Sequence, residues 1–397
     1  METLYKINGL LLEETDMSFT RYLYDKINWE NRLIVIKGAK GVGKTTMMLQ
    51  HIKKTFPHIE NALYVSLDNI WFATHTILEL AEYHYTHGGT HLFIDEVHKY
   101  QGWQREIKNI YDSYPKLHIV VTGSSILKLN DSLDADLSRR HRQYTLEGLS
   151  FREYLKLENV ADLAVLSLDE ILENHFAIAS LITSKVKVLP YFEKYLKIGY
   201  YPFYREAGDG FPERLQQVVE SIVISEIPSV GNVEYDTVYK AKRLLGILAE
   251  SAPYTLNISS LCNSLQASRN NVLKLIDLMD KAALIHRLYS ATTGMNLLTK
   301  PEKILFHNAT LMHSLASRVD SGTERETYFV SQLIENHQLY MPERGDLMVD
   351  DKYLFEVGGK SKKFKQISNI PNSFVVADEI EIGFGNKIPL WMFGLLY

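Results

Sequence analysis

The chain has a single cysteine, Cys262, in 397 residues. That excludes an internal disulfide and any cysteine-based zinc site. No apolar run approaches membrane-spanning length. The opening Met1-Glu2-Thr3-Leu4-Tyr5-Lys6 lacks the basic-then-apolar order of a secretory signal. Together these predict a cytoplasmic protein with no membrane partner. The chain is also short of positive charge. Lys and Arg number 43 against 48 Asp and Glu, a net charge of −5. The surface as a whole is therefore not built to attract nucleic acid, which leaves only a local basic face for that role. There is no low-complexity tract and no internal repeat. What remains is 46% hydrophobic and 23% charged, ordinary for a globular protein, and long enough for two to four domains.

The most informative stretch is R-L-I-V-I-K-G-A-K-G-V-G-K-T-T-M-M, Arg32 to Met48. Leu33 to Lys37 are mostly apolar and β-branched and read as a buried strand. Gly38-Ala39-Lys40-Gly41-Val42-Gly43-Lys44-Thr45 then fits G-x-x-x-x-G-K-[ST] at every fixed position. Helix-forming residues follow from Thr46. Strand, loop and helix come in the order a phosphate-binding loop needs. Its glycines let the backbone bend around an anion, and its N–H groups and the helix N-terminus point at it. Lys44 is assigned to the β- and γ-phosphates of ATP, and the Thr45 hydroxyl to Mg²⁺.

Downstream, T-H-L-F-I-D-E-V-H places Asp95 and Glu96 at the end of a second apolar strand, His91 to Ile94. The first acid suits the Mg²⁺ site and the second an attacking water. Glu96 favours a hydrolase over a kinase or a pure nucleotide-binding module. Strand candidates at Leu33–Lys37, Ala62–Leu67, His91–Ile94 and Leu117–Thr122 alternate with helices starting near Lys44, Thr76 and Gln104. That is the pattern of an α/β fold with a parallel sheet covered on both faces. Its ligand belongs at the carboxyl ends of the strands. Residues 1–31 read as helical, with Phe19, Tyr22, Leu23 and Ile27 at helical spacing. Thr122, with Ser124 second, is placed to sense the γ-phosphate, or else the strand simply turns through Gly123. Arg139, Arg140 and Arg142 offer a transition-state arginine, with Arg139 and Arg140 preferred and not separable, or a solvated basic helix end.

G-A-K-G-V-G-K-T-T, L-F-I-D-E-V-H, V-V-T-G-S-S, L-E-G-L-S-F-R-E-Y-L (146–155) and Y-L-K-I-G-Y-Y-P (195–202) together give a resemblance. The chain resembles the prokaryotic AAA-type ATPases that carry a C-terminal domain of uncharacterised function. L-S-F-R-E-Y-L is the discriminating stretch, and Gly199-Tyr200-Tyr201-Pro202 departs mildly from a Gly-Gly-aromatic-Pro run. The resemblance implies an AAA-type P-loop ATPase domain over 1–150 and a helical lid over 151–235. Helical patterns at Phe151–Leu157, Leu168–Thr183, Leu189–Ile198 and Pro212–Ile227 fit the lid.

Residues 236–295 read helix, helix, helix, strand: Val238–Glu250, Ile258–Leu265, Arg269–Lys281 and Leu284–Tyr289. That order predicts a winged helix whose third helix would turn Arg269, Asn270, Asn271 and Lys274 toward DNA, unless it serves as a protein contact. For 296–397 the resemblance implies a small α+β, restriction-endonuclease-like domain. It begins with Ile304-Leu305-Phe306-His307, a helix follows at Thr323–Glu335, and then strand candidates at Asp346–Val349, Tyr353–Val357, Phe374–Ala377 and Leu390–Leu395. Its site would use Glu326, Asp346, Glu356 and a lysine. The usual lysine position holds Gly358, and Lys360 lies two residues on, so the expectation is a degenerate module without cleavage. Lys360, Lys362, Lys363 and Lys365 would then form a basic edge. The predicted function is Mg²⁺-dependent ATP hydrolysis coupled to recognition of a partner. DNA, a protein and a second copy of the chain are left open as partners. An ATP-regulated nuclease and a slow nucleotide switch are the alternatives.

Overall fold

A computed structural model describes residues 1–124, 137, 139–228, 235–250, 257–291 and 300–397. The chain divides into two compact units, Met1–Gly148 and a second made of Leu149–Pro228 with the described residues from Tyr235 to Tyr397.

The first unit opens with α1 (Glu2–Glu14). Five strands follow: β1 (Leu33–Gly38), β2 (Ala62–Ser66), β3 (His91–Asp95), β4 (His118–Ser124) and β5 (Arg142–Thr145). Between them run α2 (Lys44–Thr55), α3 (Ile77–Thr86) and α4 (Trp103–Ser113). The strands form one parallel sheet in the order β2-β3-β4-β1-β5. Each central strand is apolar on both faces, because helices cover both sides. Leu33, Ile34, Val35 and Ile36 are all fully or almost fully buried. Thr76 and Glu79 close a reciprocal cap that fixes the start of α3. All five strand ends point the same way, so β1, β3 and β4 deliver their last residues to one edge.

Two expectations need correction. Residues 15–31 are not helical. They run in turns over the sheet because tertiary partners capture them. The Gln50 amide donates to the carbonyls of Asp16 (2.7 Å) and Phe19 (2.8 Å). The buried Arg21 guanidinium donates to those of Val42, Glu147 (2.8 Å) and Gly148 (2.9 Å). Leu23, Tyr24 and Ile27 are buried without helical geometry. In addition, Arg142 opens a strand instead of closing a helix. R-Q-Y-T is a half-exposed edge strand, so it carries no apolar run to betray it.

The second unit begins with α5 (Phe151–Leu157), α6 (Leu168–Thr183), α7 (Val188–Lys194) and α8 (Phe211–Ser221). Both α7 and α8 continue into a π-helical turn, at Tyr195–Gly199 and Ile222–Glu226. Then come α9 (Tyr235–Glu250), α10 (Ile258–Leu265) and α11 (Arg269–Lys281). The antiparallel pair β6 (Ile285–Leu288) and β7 (Lys303–Phe306) follows. After α12 (Ala309–Leu315) and α13 (Ser321–Leu333) comes a mixed sheet of β8 (Leu339–Tyr340), β9 (Leu347–Val349), β10 (Tyr353–Gly358), β11 (Ser373–Ala377) and β12 (Lys387–Pro389). Leu390–Leu395 is a 3₁₀ turn, not a strand. All six of its residues are buried, so the segment shows no alternation. A Cβ on Gly394 would lie 2.4 Å from Phe151 Cβ and from the Tyr328 hydroxyl.

Histidines pack within the first unit. His51 stacks on Trp29 at 3.8 Å, and His84 bonds to the Tyr5 hydroxyl (2.8 Å) and the His91 carbonyl (2.9 Å). Burial lowers the imidazoles of His51, His84 and His91 to about 4; His91 and Lys54 add to the effect on His51, and His118 and His84 to that on His91. These side chains stay neutral in the folded chain down to that range, while an unfolded chain takes up protons near 6.5. Stability should therefore be full above about pH 6.5 and fall as pH drops toward 4. Urea unfolding at pH 7, 5.5 and 4.5 checks this, and His84→Gln should flatten the slope.

Candidate functional site

The loop after β1 holds its shape through glycines at two kinds of position. Gly41 (φ 86°) and Gly43 (φ 97°) adopt left-handed backbone, which a side chain would strain. Gly38 needs to be small for another reason. The chain leaving β5 crosses directly over it, so a Cβ there would meet the Leu146 carbonyl oxygen at 2.3 Å. Leu146 N–H in turn donates to Lys37 O at 2.8 Å. Arg21 holds the Val42 carbonyl in the same loop. The loop is thus clamped from two sides. Within it, buried Lys44 curls back and donates to the Gly38 and Ala39 carbonyls, each at 2.9 Å. Gly38 through Thr46 form one continuous loop-to-helix turn, with Thr45 and Thr46 in the first turn of α2.

Asp95 ends β3 and is 2% exposed. A carboxylate that deep is tolerated only when its oxygens are satisfied. Oδ2 accepts from the Thr45 hydroxyl at 2.6 Å and the Tyr64 hydroxyl at 2.9 Å. Oδ1 accepts from the Thr122 hydroxyl and from Glu96 N–H at 3.0 Å. Lys44, Thr45, Asp95, Glu96 and Thr122, separated by up to 78 positions in sequence, are brought to one edge of the sheet. Glu96 has left-handed backbone (φ 55°), which turns it off the strand, and its carboxylate lies 3.3 Å from His98 Nε2. Ser124 is buried at the end of β4, in register with Gly38. The hydroxyl and carboxylate at Thr45 and Asp95 are hard oxygen donors on one side of the loop, the donor set that suits Mg²⁺.

Arg139 and Arg140 are not brought to this edge. Arg140 Nε pairs with Asp112 Oδ1 at 3.1 Å, in the last turn of α4. Arg142 registers with Ile34, four residues before Gly38, or about 13 Å along an extended strand. Both arginines precede the start of β5, at the end of the sheet opposite the phosphate loop. Two contributors went unread in the sequence. Tyr64 passes as an ordinary apolar strand residue, although a buried tyrosine calls for a partner for its hydroxyl. Arg21 gives no signal beyond its own charge.

In the second unit, Arg269, Asn270, Asn271 and Lys274 are exposed on α11. The acids of that helix lie on the same side of it and are taken up in ion pairs. Asp277 pairs with Arg287 and Lys281, each at 2.8 Å, and Asp280 with Arg287 at 2.9 Å. Farther on, the lysine beside Glu356 is neither position 358 nor Lys360. Lys360 is 71% exposed. Lys362 runs its stem over Gly358, where a Cβ would meet it at 2.7 Å, and sets its ammonium 2.9 Å from Glu356 Oε1. Lys303 pairs with Glu326, and Asp346 Oδ2 accepts from Val357 N–H at 2.7 Å. Among the described residues, no group of three or more acids, histidines or cysteines is arranged to hold a metal ion.

Residues 30–155 match a family described as an AAA domain. This segment is thus similar to AAA-type P-loop domains. Residues 189–322 match a domain of unknown function (DUF8612). An uncharacterized protein of Methanocaldococcus jannaschii is 28% identical over 292 residues, 70% of this chain. The match spans only 61% of that protein's length. An uncharacterized protein of Haemophilus influenzae is 23% identical, over 76% of this chain and 74% of its own. Among solved structures, AMPPCP-bound DnaA from Aquifex aeolicus is similar at a TM-score of 0.29 and 16% identity, over 70% of this chain and 88% of that one. No helix among the described residues is long and apolar enough to cross a membrane.

The clamp on the loop makes a direct prediction. Gly38→Ala should lower stability by about 1–3 kcal/mol, because the new methyl meets backbone that cannot swing away. Urea denaturation of this variant beside the wild type measures it.

Proposed function

We propose that the first unit hydrolyses ATP with Mg²⁺ and that the second unit recognises the partner on which hydrolysis acts. The observation that carries this reading is the Asp95 carboxylate, bonded to the loop's Thr45 and flanked by a Glu96 turned off the strand. Thr45 and Asp95 would hold Mg²⁺, which supplies charge neutralisation at the β- and γ-phosphates. Lys44 adds positive charge there, and the loop N–H groups bind the phosphate oxygens. Glu96 orients a water and takes its proton as the water oxygen bonds to the γ-phosphorus. The bond to the β-phosphate oxygen breaks and ADP leaves. Thr122, bonded to Asp95, stands between the metal-side acid and Glu96.

Lys44→Ala should lower ATP turnover on the order of 10²-fold or more, since such contacts contribute several kcal/mol to the transition state. Glu96→Gln should keep Mg²⁺-dependent ATP binding and lose turnover. Phosphate release and equilibrium binding measure the two. Wild-type turnover in the lysine variant would remove the assignment. Weak wild-type turnover with retained ADP would instead make the chain a nucleotide switch.

For the second unit, α9, α10 and α11 followed by β6 and β7 support a winged-helix reading, with the exposed Arg269, Asn270, Asn271 and Lys274 offered to DNA. The nuclease reading gains one observation, because Lys362 supplies the ammonium that Gly358 omits. It is opposed by the pairing of the acids, in which Lys362 answers Glu356 and Lys303 answers Glu326. We therefore expect DNA binding without cleavage. Incubation with linear, supercoiled and single-stranded DNA, with Mg²⁺ or Mn²⁺ and with or without ATP, tests this. Cutting that disappears in both Glu356→Ala and Lys362→Met would replace this reading with a nuclease.

A further inference from the structure

Asp95 Oδ2 has two hydroxyl donors of different standing. Thr45 belongs to the loop that takes the nucleotide, and its oxygen is the one offered to a cation. Tyr64 belongs to the sheet and has no such second duty. It is the third residue of β2 and pairs with Phe93, whereas Asp95 pairs with Ser66. Its ring leans along the strand to bring the hydroxyl 2.9 Å from Asp95 Oδ2. The residue is 6% exposed. Its backbone is pinned from the other side by Asn8 of α1, fully buried, which accepts from Tyr64 N–H at 3.2 Å and donates to Ala62 O at 3.3 Å. Burial first, then the Asp95 charge, push the Tyr64 phenol far above its ordinary range, so it remains an O–H donor.

We propose that Tyr64 is the positioning residue of the metal-side acid: its hydroxyl fixes the Asp95 oxygen that faces Thr45, and thereby sets the site's affinity for the divalent cation that accompanies the nucleotide. The proposal rests on the nucleotide-hydrolysing reading above. Thr122 and Glu96 N–H hold the other oxygen, Oδ1. With Tyr64 present, Oδ2 keeps a donor from the rigid sheet while the Thr45 side chain serves a ligand. Without it, a buried carboxylate oxygen depends on Thr45 alone, and the plane of the carboxylate is set from one side only. Groups that orient metal-binding residues in this way commonly govern metal affinity more than the binding of the rest of the ligand. The loop N–H groups and Lys44 are untouched, so binding of metal-free nucleotide does not depend on Tyr64.

The test is titration of the full chain with a fluorescent ATP analogue across a range of Mg²⁺ concentrations and in EDTA. It compares wild type, Tyr64→Phe, Asp95→Asn and the double variant. In Tyr64→Phe the Mg²⁺ concentration for half-maximal enhancement should rise about tenfold, while affinity in EDTA stays within about twofold. Adding Tyr64→Phe to Asp95→Asn should change nothing further, since the tyrosine acts through the acid. An unchanged Mg²⁺ dependence in Tyr64→Phe, with wild type responding to Mg²⁺, would overturn the role of Tyr64 alone. Equal loss with and without Mg²⁺ would also overturn it, by showing that the residue only shapes the strand. A wild type that binds nucleotide without any Mg²⁺ dependence would overturn both this inference and the hydrolase reading.

Discussion

The nucleotide edge of this protein depends on one buried carboxylate. Asp95 lies at the end of β3 with almost no exposure, and an ion so placed is costly unless both oxygens are answered. Four donors answer them: one from the loop, one from β2, one from β4 and one from the next residue in the chain. Each such bond to a charged group contributes about 1.5–3 kcal/mol. The more consequential effect is geometric. Satisfying Asp95 fixes β2, β3 and β4 relative to one another at their carboxyl ends and fixes α2 against all three. A charge that the interior would otherwise reject becomes the reference point for the site.

The loop itself is held by contacts that involve no catalytic group. Leu146 lies over Gly38, and Arg21 reaches the Val42 carbonyl together with those of Glu147 and Gly148. Residues 15–31 and the chain leaving β5 therefore share one arginine with the phosphate loop. This explains why a segment with helical spacing is not a helix. Three carbonyl bonds to a buried guanidinium, and burial of Leu23, Tyr24 and Ile27, outweigh the local preference of a few residues.

The second unit uses its charges in pairs. Arg287 pairs with both acids of α11, on the helix side that also exposes Arg269, Asn270, Asn271 and Lys274. Lys362 and Lys303 do the same for Glu356 and Glu326. The contrast with the first unit is chemical. Asp95 is answered by neutral hydroxyls and N–H groups and keeps its charge available to a cation, whereas Glu356 and Glu326 are each answered by an opposite charge.

Sequence alone determined the phosphate loop, the acid pair, four of the five strands of the first sheet and most helices. Those features are local: fixed spacing in the loop, unbroken apolar runs in strands buried on both faces, and caps such as Ser268 before α11. It could not place β5, because an edge strand half in solvent needs no apolar pattern. It put a strand at 390–395, because a turn buried on every side looks as apolar as a central strand. Strand spacing left the usual lysine position empty at Gly358 and put Lys360 off the site, and it held no sign that the chain bends back there. Only the fold carries Lys362 back over Gly358, a position left open by the missing side chain. Tyr64 and Arg21 were invisible for the same reason. Their roles are hydrogen bonds to atoms 31 and up to 127 positions away, and a hydrogen bond of that span leaves no period or motif in the sequence, since either partner could have met many others until the sheet was assembled.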